Sequence, residues 1–196
     1  MKAVSNSFFF QEDVVKIARE MIGMELFTKS GNEIVGGIIT ETEAYAGITD
    51  KASHAFGGRR TQRTEIMYHE GGTVYVYLCY GIHSLLNIVT NQKNIPHAVL
   101  IRAIEPVYGE QIMLQRLKKE KRESKTFYGP GNVSKAFNVH YSQSGIKLGK
   151  TNKDFSIWIE SKNIEITENQ IVASKRIGID YAQEDALLPW RFNLIK

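Results

Sequence analysis

The segment Glu41-Thr42-Glu43-Ala44-Tyr45 repeats carboxylate, carboxylate and phenol at a period of two. On a β-strand that period puts all three on one face, with neighbours roughly 7 Å apart. Two carboxyl groups at such a distance can act as general acid and general base at a glycosidic carbon. Alternatively one activates a water while the other is structural, or both belong to a solvated edge strand. The run from Thr73 to Gly81 contains Tyr75 and Tyr77, which share a face by the same period, with Val74, Val76 and Leu78 opposite. Tyr80 precedes Gly81, where a hairpin tip would project it as a wedge able to fill the gap left by an extruded base; the plainer role for these tyrosines is core packing. Arg102 interrupts the apolar run Ala98-Val99-Leu100-Ile101, so its charge must face a carboxylate, water or a ligand, with Glu41 or Glu43 the natural partners. His54 lies among small residues, where a ring nitrogen could bond a ligand or simply meet solvent. Arg59, Arg60 and Arg63 follow Gly57-Gly58, a composition suited to a phosphate backbone.

The elements that must hold these residues are readable from periodicity. Residues 13–21 carry Val14, Ile17, Ala18 and Met21 at helical spacing. Strands are expected at residues 25–29 and from Glu33 towards Tyr45, joined by Ser30-Gly31-Asn32, with a loop over 46–63. A second hairpin covers residues 73–90 with Tyr80 at its tip, and a strand follows at 98–104. Helices are expected at 108–122 and near 132–137, separated by the break Gly129-Pro130-Gly131, and strands at 155–159, 163–167 and 175–179. The sum is one α+β domain over residues 1–196, built around a mostly antiparallel sheet.

Composition narrows the classes. The chain has 196 residues, 42% hydrophobic and 23% charged, enough for one sizeable core. Apolar stretches are interrupted before about 20 residues, so no membrane helix is expected. The N-terminal residues lack a secretory pattern, which points to the cytoplasm. Cys79 is the sole cysteine, which excludes an internal disulfide, and the histidines lack ligand spacing, so neither a metal nor another cofactor is implied. A net charge of +4 suits a polyanionic partner.

Taken in order, Glu41 to Tyr45, His54, Gly57-Gly58-Arg59, Tyr75-Val76-Tyr77, Tyr80-Gly81, Asn87-Ile88, Leu100 to Ala103, Gly129-Pro130-Gly131, Arg176 to Ile179 and Pro189 to Phe192 resemble the alkyladenine (methylpurine) DNA glycosylase family across nearly the whole chain. The resemblance implies a curved antiparallel sheet flanked by helices, with a DNA-inserting β-hairpin. It implies that Glu43 orients and deprotonates the attacking water and that Arg102 helps to hold it. Tyr45 and Tyr77 would sandwich the flipped base, His54 would bond its edge, and Asn87 would exclude guanine. Tyr80 would enter the duplex from a hairpin that also carries Ile82 and His83; at His83 some members have another aromatic residue. The partner implied is double-stranded DNA containing a damaged purine (3-methyladenine, 7-methylguanine or hypoxanthine), and the enzyme implied is a monofunctional, cofactor-free monomer. An N-alkylated purine is cationic, and a cation between electron-rich rings gains about 0.5–2 kcal/mol. Two other classes would reuse these residues: a binding module with a tyrosine stacking platform, or a carbohydrate glycosidase using Glu41 and Glu43.

Overall fold

The computed structural model describes residues 2–161 and 166–195. The chain runs β1 (Lys2–Ala3), α1 (Val14–Glu20), β2 (Glu25–Ser30), β3 (Glu33–Tyr45), β4 (Val74–Cys79), β5 (His83–Thr90), β6 (His97–Tyr108), α2 (Glu110–Leu117), α3 (Pro130–Ala136), β7 (Thr151–Asn152), β8 (Phe155–Ser161), β9 (Ile171–Ser174) and β10 (Arg191–Leu194), with short 3-10 turns between. The described strands form one sheet in the order β1-β8-β2-β3-β6-β5-β4, with β10 added beside β3 and β9, and their pairings are antiparallel. This is the α+β fold read from the sequence.

Alternation along the central strands separates a packed face from a working face. Val74, Val76, Leu86, Ile88, Val99, Ile101 and Ile104 join the main core with Ile17 and Ala18 of α1, Met21 just after it, and Val133 and Ala136 of α3. Their neighbours Tyr75, Tyr77, Asn87, Leu100 and Arg102 point the other way, into a cavity. On β3, Thr42 turns to the packed face and donates its hydroxyl to the Ala18 carbonyl at 2.7 Å, which leaves Glu41, Glu43 and Tyr45 on the cavity side. Asp13 caps α1 by accepting from the Val15 and Lys16 amides, satisfying donors that the first turn leaves open.

Several boundaries differ from the expected ones. The helix expected over 108–122 is confined to Glu110–Leu117, because Tyr108 ends β6 and Gly109 and Lys118, with φ of 69° and 58°, turn the chain at both ends. Beyond Lys118 the charged run supplies no apolar stripe to bury. The third helix starts earlier, at Pro130, a residue preorganised for a first turn. The loop over 46–63 contains 3-10 turns at Gly47–Thr49 and Phe56–Gly58. Of the strand expected at 163–167, residues 163–165 lie outside the described residues and Ile166-Thr167 is irregular. The strand expected at 175–179 is instead β9, at Ile171–Ser174, and Lys175 to Ile179 is irregular because its polar groups serve the site rather than a ladder.

Candidate active site

β3 lies between β6 and β10 at the level of the two glutamates: Glu43 is opposite Leu100 of β6 and Arg191 of β10. That register delivers Arg102 and Arg191 to the acidic face. The Arg102 Nε donates to Glu41 Oε1 at 3.1 Å, and its Nη1 stands 3.4 Å from Glu43 Oε2. Arg191 Nη1 reaches the same Glu41 oxygen at 3.0 Å. The two carboxylates, equivalent by sequence period, are thereby made different. Glu41 is clamped between two guanidinium groups, as a charge buried beside a cavity must be.

Glu43 is fully buried and held by three groups. Its Oε1 accepts the Ile177 amide at 2.8 Å, and its Oε2 accepts the Tyr45 hydroxyl at 2.7 Å, with Arg102 beyond. Burial raises its pKa above the ordinary carboxylate value; Arg102 and the bonds from Tyr45 and Ile177 act against that rise. Tyr45, Arg102 and Ile177 all line a cavity of about 420 Å³, so Glu43 sits directly behind its wall. The volume is in the range of small-molecule pockets.

Tyr45, His54, Arg63, Tyr77 and Asn87 complete the working surface. Tyr75 and Tyr77 lie with centroids 5.7 Å apart, and the His54 ring meets Tyr77 edge-on at 4.5 Å. Arg63 Nη2 lies 2.7 Å from His54 Nε2, and His54 Nδ1 lies 2.9 Å from the Tyr75 hydroxyl. Since arginine can only donate, His54 accepts at Nε2 and carries its proton at Nδ1. Burial, then the charges of Arg63 and Arg59, pull its pKa down to about 4, so the ring is neutral at physiological pH. Asn87 donates its amide to the carbonyls of Tyr75 and Leu85 at 3.3 and 3.1 Å, which fixes the side chain on the cavity floor.

The hairpin of β4 and β5 closes at Cys79 opposite His83, through Tyr80, Gly81 and Ile82. Tyr80 and Gly81 both have positive φ, 50° and 72°, a turn conformation that matches strand twist but strains a tyrosine. Tyr80 is 92% exposed and Ile82 73% exposed, so the tip offers two apolar side chains to solvent. His83 packs back on α3, where a Cβ at Gly131 would come within 3.2 Å of its Nδ1.

The three loop arginines part company. Arg60 makes a paired contact with Glu65, at 2.7 Å for each nitrogen, and stands 4.6 Å over the Tyr68 ring. Arg63 turns into the cavity. Arg59 is exposed, and its backbone carbonyl anchors the loop by accepting from Thr64 and Tyr68.

Arg176, which lies in a segment that carries the family resemblance but gains no role from the sequence, is fully buried against Asp50, with Nη1 and Nη2 at 2.6 and 2.9 Å from the carboxylate oxygens. It also donates to the Ala44 and Asp185 carbonyls and is flanked by the Tyr45 and Trp190 rings at 4.9 and 5.0 Å. The pair anchors the segment whose next amide, Ile177, holds Glu43. Arg176→Met strands the Asp50 charge in the interior and is expected to destabilise the fold by about 3–5 kcal/mol, roughly 6–20 °C in Tm. Thermal unfolding of the variant checks this; a change under about 1 kcal/mol would mean that the pair is better hydrated than its burial implies.

A model of the family described as methylpurine-DNA glycosylase matches residues 8–196. The chain belongs to the methylpurine-DNA glycosylase family. Proteins carrying the name "Putative 3-methyladenine DNA glycosylase" are similar over nearly their whole length: one from Chlamydia felis (strain Fe/C-56) is 46% identical, covering 96% of this chain and 94% of its own. One from Clostridium novyi (strain NT) is 41% identical over 95% and 92%, and one from Bacillus cereus (strain AH820) 39% identical over 94% and 92%. The chain is therefore a DNA glycosylase, a hydrolase of N-glycosyl bonds acting in base-excision DNA repair.

Proposed function

We propose that this glycosylase flips an alkylated or deaminated purine out of double-stranded DNA into the cavity and hydrolyses its bond to the sugar with a water activated by Glu43. The observation that carries the reading is the setting of Glu43: a buried carboxylate whose lone pairs are partly taken by the Ile177 amide and Tyr45 hydroxyl, with Arg102 3.4 Å away at the cavity wall. A water bound against Glu43 and Arg102 from the cavity side would give its proton to the carboxylate as its oxygen bonds to the anomeric carbon. The N-glycosidic electron pair then leaves with the base. The raised pKa of Glu43 makes it a stronger base than an exposed glutamate.

The relatives' names support 3-methyladenine as one substrate; 7-methylguanine and hypoxanthine extend the same purine class. Tyr45 and Tyr77 supply the ring faces that favour a cationic base. Asn87, held by two backbone carbonyls, cannot swing aside, which suits exclusion of guanine by bulk. Tyr80, with Ile82 beside it, is read as the wedge in the duplex, and His83 as the base of that hairpin. No lysine is among the described residues lining the cavity, which suits a water nucleophile and an intact abasic strand.

The test is incubation with duplexes carrying 3-methyladenine, 7-methylguanine or hypoxanthine. Free base should appear with no strand cleavage before alkali. Release of no base, or strand cleavage in step with release, would overturn the reading. Its electrostatic side has a separate check. With Arg60 bound to Glu65 and Arg63 turned inward, Arg59 is the loop residue free to meet a phosphate, and Arg59→Ala is expected to shallow the slope of log K against log salt by about 0.9. An unchanged slope would put the phosphates elsewhere.

A further inference from the structure

Arg63 is unaccounted for by the reaction as described. It stands in the cavity, with its Cζ 5.4 Å from the Tyr77 centroid and one nitrogen on His54 Nε2 at 2.7 Å. Both partners are uncharged, because the His54 ring is neutral at physiological pH. The nearby acid Glu43 is already countered by Arg102, and Glu41 by Arg102 and Arg191. The base pocket thus contains a guanidinium whose charge none of these contacts compensates, over the ring that is to receive the base. One of its five N–H donors is taken by His54 and another is shared with the Tyr75 hydroxyl, also uncharged, which leaves donors to spare.

Resting on the reading of the cavity as a base pocket, we infer that Arg63 is a specificity-determining residue that sorts lesions by charge, favouring neutral deaminated purines over cationic alkylated ones. Two effects act in the same direction. A cationic purine beside Arg63 meets like charge, which opposes the attraction of the tyrosine rings. A neutral hypoxanthine accumulates negative charge as its bond to the sugar breaks, and its O6 and N7 acceptors match the fork that arginine presents to that purine edge. A 7-methylguanine has its N7 blocked and keeps residual positive charge in the transition state.

The experiment compares kcat/KM for hypoxanthine and 7-methylguanine in otherwise identical duplexes, for wild type, Arg63→Lys, Arg63→Gln and Arg63→Glu. Arg63 is exposed, so these variants should fold. The ratio of 7-methylguanine to hypoxanthine activity is expected to rise about tenfold in Arg63→Gln and further in Arg63→Glu, and to rise less than in Arg63→Gln in Arg63→Lys, which keeps the charge but loses the fork. NMR titration gives an independent readout: removing the guanidinium should raise the His54 pKa from about 4, since its charge contributes to the depression. Equal changes on both substrates would make Arg63 a phosphate contact and overturn the proposal, as would an unmoved His54 pKa. Inactivity of the wild type on every lesion would instead sink the underlying reading of the pocket.

Discussion

Glu43→Gln is expected to abolish base release, by at least about 10²–10⁴-fold, while leaving affinity for lesion-containing duplex largely intact. Glutamine keeps the size of the side chain, and its carbonyl oxygen can still accept from Ile177 or Tyr45, but it cannot take a proton from water. The pH profile makes the test stricter. Activity requires the deprotonated carboxylate, so the rate falls as pH drops through the Glu43 pKa. Because burial raises that pKa, the acid limb of kcat/KM should lie above the ordinary carboxylate value of about 4.3. His54 contributes no limb near 6.5, since its pKa is held at about 4. Glu41→Gln should slow base release less, because Glu41 is occupied by Arg102 and Arg191; the reverse ranking would exchange the two roles. Near-normal turnover by Glu43→Gln in single-turnover assays would end the proposed mechanism.

Tyr80→Ala is expected to slow excision of a well-paired lesion by about 10–100-fold and to matter much less for a mispaired one. Extruding a stacked base costs a few kcal/mol, and a side chain filling the vacated space offsets part of that cost. The tip suits such a part: a tyrosine at φ 50° and 92% exposed carries backbone strain and forgoes apolar burial. Single-turnover excision of one lesion in paired and mispaired contexts measures the difference directly. Equal losses in both contexts, with an intact fold, would assign Tyr80 to general DNA affinity rather than to flipping.

What could be read from sequence follows the range of the interactions. The alternation on β3 and β4 is local, so the shared face of Glu41, Glu43 and Tyr45 and that of Tyr75 and Tyr77 were both visible in the residue order. The pairing of Arg102 with the acidic face was inferable because a charge in an apolar strand needs a partner. It needed the register of β3 against β6 to show that the one arginine reaches both glutamates. Ile177 was beyond reach for a different reason: it acts through its backbone amide, which no residue type advertises, across 134 positions. Arg176 and Asp50 are 126 apart, and neither sits in an apolar run that would have marked it as buried. The same segment defeated the strand expected at 175–179, since a guanidinium spent on Asp50 and an amide spent on Glu43 leave no regular edge. Within the arginine loop, composition gave a positive charge, but only the fold sends Arg60 to Glu65 and Arg63 to His54.

The separation between Glu43 and its late partners also sets a clock. At a synthesis rate of about 5–20 residues per second, the 134 positions to Ile177 and the 150 between Glu41 and Arg191 correspond to roughly 7–30 s during which both glutamates have been translated and their partners have not. Through that interval the hairpin, the tyrosines and the arginine loop can all be present on the nascent chain while the proposed general base has no amide to orient it. On the proposed mechanism hydrolytic competence therefore waits for residues 177 and 191, and a chain stalled before residue 177 would carry the pocket tyrosines without the group that aims the carboxylate.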